Sequence, residues 1–177
     1  MKRLKTNRLI LRKPMLSDAQ VLFSSYSQDS EVTKYLTWKP HKNIAETSVF
    51  LKNCIKDWES AREYSWVIEK KENHKIIGMI RLGLKSRKTD FGYILAKPYW
   101  GNGYATEALK AIINLAFSQL NIKTIKGTCD LENIASGRVM EKAGLRFQKV
   151  LKKHVIHPNI SSEARDLYLY SIHKNAL

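Results

Sequence analysis

Leu95-Ala96-Lys97-Pro98-Tyr99-Trp100-Gly101-Asn102-Gly103-Tyr104-Ala105-Thr106-Glu107-Ala108 is the stretch on which the reading of this 177-residue chain turns. An apolar, strand-like run, Phe91 to Ala96, leads into it, and a strongly helical run, Ala105 to Leu120, leaves it. Strand, glycine-bearing loop and helix, in that order, present backbone N–H groups and a helix N-terminus to a phosphate. Glycine lets a ligand approach the backbone closely because no Cβ intervenes. The loop therefore reads as a pyrophosphate cradle. Two familiar owners of such a cradle fail on spelling. A Walker loop needs Gly, four residues, Gly, then Lys and Ser or Thr, and no such string occurs. The dinucleotide fingerprint needs a third Gly where Thr106 stands and an acidic residue about twenty positions later. That neighbourhood, Ile122-Lys123-Thr124-Ile125-Lys126, is basic.

Outward from the loop, the chain divides into helical and extended runs without linker, repeat or low-complexity tract. Thr6 to Arg12 alternates and reads as a strand closed by Pro14, and Ser17 reads as the cap of a helix from Asp18 to about Ser27. Ser30 to Tyr35 adds a short helix and Trp38-Lys39-Pro40-His41 a loop. Ile44, Thr47, Leu51, Cys54, Ile55 and Trp58 fall on one face of a helix over Ile44 to Ser60. Tyr64–Lys70, Lys75–Lys85 and Thr89–Ala96 follow as an antiparallel meander, the last two joined by the basic turn Lys85-Ser86-Arg87-Lys88. After the loop helix come a strand, Lys123–Cys129, and a helix opening at Glu132 and ending at Lys142-Ala143-Gly144. The strands Arg146–Ile156 and Ala164–His173 finish the chain. Strand, helix, strand around the loop predicts a right-handed crossover and one parallel pair.

Composition bounds the class. With 44% hydrophobic and 27% charged residues, the chain reads as a soluble globular protein, most simply one domain over 1–177 with a full core. No apolar run approaches the ~18–20 residues a bilayer span needs. Lys2, Arg3 and Lys5 are followed by Pro14 and polar residues, which is not a signal peptide. Cys54 and Cys129 form no CxxC, so neither a disulfide framework nor a zinc site is expected, and a reducing cytoplasm is the inferred location. The net charge of +15 attracts polyanions. The charges are scattered along the chain, so they serve solubility as well as they would RNA, and nothing selects DNA.

The spelling Trp100-Gly101-Asn102-Gly103-Tyr104-Ala105 resembles the acyl-CoA loop of the GNAT superfamily of N-acyltransferases, Gln/Arg-x-x-Gly-x-Gly/Ala, with Trp at the usual Gln/Arg position. The longer run Tyr-Trp-Gly-x-Gly-Tyr-Ala-Thr-Glu-Ala is similar to the branch of ribosomal-protein N-terminal alanine/serine acetyltransferases. Three motifs in order carry the resemblance across nearly the whole chain: Asn7-Arg8-Leu9-Ile10-Leu11-Arg12, the loop itself, and Glu132-Asn133-Ile134-Ala135-Ser136 with Glu141-Lys142-Ala143-Gly144. The implied fold is α/β (α+β), a mixed, mostly antiparallel sheet of six to seven strands with helices on both faces and a splayed parallel pair. The implied cofactor is acetyl-CoA. Its pantetheine arm would pair with the backbone of Leu95, Ala96 and Lys97, and its pyrophosphate would lie on the loop from Trp100 and Gly101 through Asn102, Gly103, Tyr104 and Ala105 to Thr106.

The resemblance also assigns chemistry. Asn133 matches a residue that reaches the cofactor arm, though Asn before a helix is also an ordinary cap. Ser136 matches a serine near the thiol and is the catalytic candidate. Trp38 is a candidate acceptor contact, with packing as its plainer role, and Glu107 complements the helix dipole as a structural residue. Many GNAT enzymes place a Tyr four residues before the terminating Gly to protonate the departing thiolate. Here that position is Met140, which cannot donate a proton. Water, Ser136 or another group must serve, or no donor is needed. Asp90, His154 and Glu69 are candidate bases, none selected by spacing, with salt bridging or solvation as their plainer role. Cys54 and Cys129 sit where inert cysteines usually sit, and His154 with His157 makes a weak metal pair, so no metal is expected. The implied partner is an amine acceptor. A protein N-terminus, a ribosomal protein among them, leads over a small amine such as a polyamine or aminoglycoside. A non-catalytic RNA- or ribosome-binding module is the rival of another class. No membrane partner is expected, and an oligomer is left open.

Overall fold

Hydrophobic alternation at a period of two builds the sheet. In β3 (Glu63–Lys70), Trp66 and Ile68 point to one face and Val67 to the other, all fully buried. The same alternation runs through β4 (Ile76–Gly83), with Ile80 and Leu82 against Met79, and through β5 (Asp90–Leu95), with Phe91 and Leu95 against Ile94. The computed structural model describes residues 3–84 and 89–174. The other elements are β1 (Leu4–Lys5), β2 (Leu9–Arg12), α1 (Ala19–Leu22), α2 (Ser30–Thr33), α3 (Ile44–Glu59), α4 (Tyr104–Gln119), β6 (Thr124–Asp130), α5 (Ile134–Lys142), β7 (Arg146–Ile156) and β8 (Ala164–His173). The strands form one mixed sheet in the order β1-β2-β3-β4-β5-β6-β8-β7.

Each face carries helices. Leu109, Ile112, Ile113, Ala116 and Phe117 of α4, with Met140 and Ala143 at α5, bury the face of Trp66, Ile68, Phe91 and Leu95. Ala19 and Leu22 of α1, with Leu51 and Cys54 of α3, cover Val67, Met79 and Ala96 opposite. Helices on both faces of a mostly antiparallel sheet are the predicted architecture. The sheet has eight strands rather than six or seven because the strand read over Thr6–Arg12 starts only at Leu9, and a further short strand, Leu4–Lys5, precedes it and pairs with it. Thr6 N donates to Leu9 O at 3.0 Å, and Leu9 N donates back to Thr6 Oγ1 at 2.9 Å. This turn folds β1 onto β2, pairing Leu4 with Leu11.

The helix expected over Asp18–Ser27 also differs. Asp18 Oδ2 accepts from Met15 N at 2.8 Å, so the first turn starts at Leu16 and Ser17 is not its cap. Beyond α1 the coil widens into a π turn, Phe23–Ser27. Ser24 and Ser25 there donate to the carbonyls of Gln20 (2.9 Å) and Val21 (2.6 Å), competing with the backbone for them. Asp29 caps α2, and Asn43 caps α3 by accepting from Glu46 N at 3.1 Å. The basic turn Lys85–Lys88 lies outside the described residues.

The parallel pair is the feature that positions the site. β5 and β6 share one bridge, Asp90↔Lys126, closed by Lys126 N donating to Thr89 O at 3.0 Å. Beyond it the strands part. The closed end of this V is filled: a Cβ on Gly127 would come within 2.5 Å of the Phe91 ring and 2.8 Å of Met140 Sδ. Met140, at the position where a tyrosine would serve as acid, is 1% exposed and wedges the strands where they join. Ala ordinarily gains over Gly in a strand by about 0.5–1 kcal/mol. Gly127→Ala is expected instead to cost about 1–3 kcal/mol through overpacking. The lowered urea midpoint at unchanged m-value reports it, and an unchanged or raised midpoint contradicts this packing.

Candidate functional site

The open end of the V leads straight into the glycine loop. Ala96 N donates to Ile77 O at 2.9 Å on the β4 side, so strand alternation turns the N–H and C=O of Leu95 toward the gap. Trp100 Nε1 donates to Leu95 O at 2.7 Å, which leaves the Leu95 N–H on that edge. The tryptophan in place of the usual Gln or Arg thus ties the loop to the strand. A single tight turn, Lys97–Tyr99, with Tyr99 N donating to Ala96 O at 2.9 Å, carries the chain off the sheet. Lys97 itself pairs with Glu31 at the surface.

The loop takes its shape from its two glycines. Gly101 and Gly103 have φ of 75° and 77°, the left-handed region that a Cβ penalises, and both are exposed. Asn102 Nδ2 donates to Trp100 O at 2.9 Å. Glu107 N donates to Gly103 O at 3.0 Å as the first helical bond of α4, so the N–H groups of Tyr104, Ala105 and Thr106 have no partner within the helix. Open space surrounds the position of a Cβ at Gly101. Exposed glycines, orphan N–H groups and the positive end of a 16-residue helix meet the requirements of a pyrophosphate site.

A clamp that sequence reasoning missed holds this loop. Glu107 Oε1 accepts from Thr6 Oγ1 (2.6 Å) and Arg8 N (2.7 Å), and its Oε2 accepts from Arg8 Nε (2.7 Å). Arg8 also donates to Asn102 O at 3.0 Å and lies 4.5 Å above the Tyr104 ring. The first motif of the chain thereby braces the second, and an arginine stands beside the anion site. Arg8 lies inside the chain's first motif, but a contact spanning 99 residues leaves no local spacing to read.

Across the gap, Asn133 begins α5, its Oδ1 accepting from Ser136 N at 3.2 Å. Ser136 faces the opening, and Tyr93 Oη of β5 donates to its Oγ at 3.0 Å. Tyr93 too was missed, although alternation with Phe91 and Leu95 marks it as facing the same way. Two of the candidate bases are engaged elsewhere. Asp90 accepts from Arg81 at 2.9 Å at the closed end of the V. Glu69 on β3 accepts from Arg12 (2.9 Å) and is paired with His74 Nδ1 (2.7 Å). His154 is exposed on β7 while His157 is buried, so the pair does not converge. Cys54 and Cys129 are buried and unpaired, and burial pushes both thiols up to about 11, which keeps them protonated at neutral pH. Trp38 stacks on His41 at 4.8 Å, and its carbonyl accepts from Asn159 Nδ2 at 2.8 Å.

Splayed strands, glycine loop and helix N-terminus make up the candidate anion site, and the family model of the acetyltransferase (GNAT) domain matches residues 8–146. The chain belongs to this family and is a GNAT N-acetyltransferase. It is 29% identical over 174 residues to the uncharacterized N-acetyltransferase YoaA of Bacillus subtilis, covering 97% of this chain and 96% of that protein. The crystal structure of a GNAT-family acetyltransferase from Bacillus anthracis superposes with a TM-score of 0.86 at 27% identity, covering 98% of this chain and 99% of the other. RimL, described as a ribosomal L7/L12 α-N-protein acetyltransferase in complex with coenzyme A, shares the fold with a TM-score of 0.88 at 16% identity over 99% of this chain and 100% of its own. Among the described residues no helix is long and apolar enough to cross a membrane.

The clamp makes a testable contribution to stability. Burial raises the pKa of Glu107, but the hydrogen bonds from Thr6 and Arg8 outweigh it and hold the carboxyl below its usual 4.5. A depressed folded-state pKa stabilises above the unfolded value and is lost as pH falls through the folded one. Arg8 is 44% exposed, so screening trims the effect. Glu107→Gln is expected to lose about 1 kcal/mol at neutral pH, with the difference closing below pH 4.5. Urea titrations across pH check it, and a gap that persists into acid refutes the ionic account.

Proposed function

We propose that this chain, as one acetyltransferase domain over 1–177, transfers the acetyl group of acetyl-CoA to the α-amine of a protein N-terminus, a ribosomal protein being the leading candidate. For the donor, the carrying observation is the strand edge at Leu95, with Ala96 bonded to β4 and Lys97 in the turn, running into the loop from Trp100 and Gly101 to Thr106, with Asn133 across the gap. Acetyl-CoA supplies the acyl group as a thioester. The residues present bind its phosphates, orient its arm and set the geometry in which the amine meets it, so proximity supplies much of the rate. The amine nitrogen bonds to the acyl carbon and the carbon–sulfur bond breaks. One proton leaves the nitrogen and one reaches the sulfur from solvent, with Ser136 as the hydroxyl that hydrogen-bonds to the sulfur.

For the acceptor, the supporting observation is that Asp90 and Glu69 are tied up by arginines. A lysine amine with pKa ~10.4 is almost wholly charged at pH 7, whereas an α-amine at ~7.7–8.0 is about a tenth neutral. The difference, ~2.5 units or ~3.4 kcal/mol, is work that a strong base would have to do. A site whose candidate carboxylates are already paired suits the α-amine. A chain of charge +15 also repels polycationic amines unless acidic groups gather at the groove. The loop of Trp38, held to the connection between β7 and β8, is the acceptor contact in this reading. Two buried, unpaired cysteines fit a reducing cytoplasm.

Two measurements test this reading. Gly101→Ala meets nothing within 4 Å and so changes stability only by backbone strain of about 1 kcal/mol. It is expected to weaken acetyl-CoA binding in calorimetry by about tenfold or more, by stiffening the loop and keeping phosphate off the backbone. Equal affinity refutes the cradle. Thiol release with acetyl-CoA, screened over peptides with free N-termini, polyamines and aminoglycosides, is expected to favour the peptides. Turnover of small amines alone refutes the protein acceptor.

A further inference from the structure

The acid that many GNAT enzymes place on the helix after β6 is absent, because Met140 is packed under the closed end of the V. The opposite strand supplies a phenol instead. Phe91, Tyr93 and Leu95 share one face of β5: Phe91 closes the V, Leu95 borders the open edge, and Tyr93 lies between. Its Oη reaches across the gap to Ser136 Oγ in the first turn of α5 at 3.0 Å. We propose that Tyr93 is a positioning residue for acetyl transfer, donating to Ser136 so that the serine hydroxyl hydrogen is left for the departing sulfur. This rests on the acetyl-CoA reading above.

Hydrogen-bond accounting supports the assignment. A phenol has one hydrogen to give; a serine hydroxyl has one hydrogen and two acceptor sites. With Tyr93 donating, Ser136 keeps its own hydrogen, and its Oγ forms no second hydrogen bond among the described residues. Asn133 fixes the same residue from the backbone side through Ser136 N at 3.2 Å. Burial pushes the Tyr93 hydroxyl up to about 12, so it stays neutral and stays a donor across the working range. A free thiol titrates near ~8.5. Tyr93 therefore orients and does not itself surrender its proton to sulfur. The electron pair of the broken carbon–sulfur bond goes to sulfur, Ser136 hydrogen-bonds to it, and solvent supplies the final proton. Ionisable groups near the pair include Cys129 on β6, which raises Tyr93 further, Asp130 and Glu141, which act on Cys129, and Tyr170, whose hydroxyl lies beside Gly137.

Coenzyme A itself is the probe. Calorimetry first measures its binding to the whole protein and to Tyr93→Phe, Ser136→Ala, Ser136→Thr and the double variant Tyr93→Phe/Ser136→Ala. The ultraviolet thiolate absorbance of each complex, taken against desulfo-coenzyme A, then gives the pKa of the bound thiol. The wild-type value is expected about one unit below that of free coenzyme A. Ser136→Ala loses that shift, Ser136→Thr retains most of it, Tyr93→Phe loses about half, and the double variant matches Ser136→Ala. Phe keeps the ring packing, and the two Ser136 variants read the same contact from its other side. Equal values for Tyr93→Phe and wild type overturn the proposal, as does a further shift from Tyr93→Phe in the Ser136→Ala background. Absence of binding by the wild type at millimolar coenzyme A overturns the acetyl-CoA reading instead, a different result from unchanged thiol pKa values in complexes that form.

Discussion

A parallel pair reduced to one bridge is the constraint from which the site follows. β5 is held on its other edge by β4 through six pairs, Gly78↔Leu95 to Gly83↔Asp90, and β6 by β8 through seven, Thr124↔His173 to Asp130↔Leu167. Each strand is thus secured by an antiparallel neighbour and can leave the other after Asp90↔Lys126 without the sheet coming apart. Parting exposes backbone donors and acceptors that an interior does not leave unpaired. The protein covers one of them itself, with the Trp100 indole on Leu95 O. The rest of the edge faces the gap. Phe91, Gly127 and Met140 fix where the opening starts, and the glycine loop fixes where it leads.

Charge is distributed so that the excess of cations stays available. Arg12 is consumed by Asp18 and Glu69, Arg81 by Glu63 and Asp90, and Arg165 by Asp130 and Glu132. These pairs stitch β2 to β3, β4 to β5 and β6 to β8, where partial burial makes them worth more than surface pairs. They also withdraw carboxylates from chemistry. With 31 basic and 16 acidic side chains, using acids this way leaves a surface that favours anions. Arg8 is the exception in kind. Its partner Glu107 sits in the first turn of α4, where a carboxylate favours the helix dipole. The same pair therefore stabilises the helix start and puts a guanidinium beside the loop.

Local chemistry made the loop and its flanks legible. Gly101 and Gly103 need left-handed backbone, the run after Gly103 is apolar round much of the helix, and both signals lie within a few residues. The same held for Asn133 as a cap. Errors arose where a side chain redirected the backbone over short range. Thr6 turned a strand into a hairpin, Asp18 moved a helix start, and two serines widened a helical turn. Such choices are close in energy and hang on single hydrogen bonds. Long-range partners were not legible at all. Glu107 reads as a first-turn acid in sequence, and nothing nearby announces Thr6 or Arg8.

The proposed acceptor side shows the same limit in sharper form. Asn159 Nδ2 carries two hydrogens and gives both to main-chain carbonyls, those of Thr33 and Trp38, each at 2.8 Å. Thr33 ends α2, and its carbonyl accepts from Leu36 N at 2.9 Å as well, so both of its acceptor sites are filled. A loop after β7 thereby sets the position of a loop before α3, 121 residues away in sequence. The same connection carries His157, buried edge-on to Tyr35 and 3.7 Å from Asp130 Oδ2. Asp130 ends β6, accepts Arg165 at 2.6 and 3.0 Å, and through its carbonyl accepts Asn133 N at 2.9 Å. Asp130 therefore anchors the turn that presents Ser136, while His157 of the connection that holds the Trp38 loop lies beside it without a hydrogen bond. A family motif records the first because its parts are adjacent in sequence. The second depends on Asn159, Trp38 and His157 being joined by contacts that no spacing encodes, which is why the donor can be read from the loop and the acceptor must be sought in the fold.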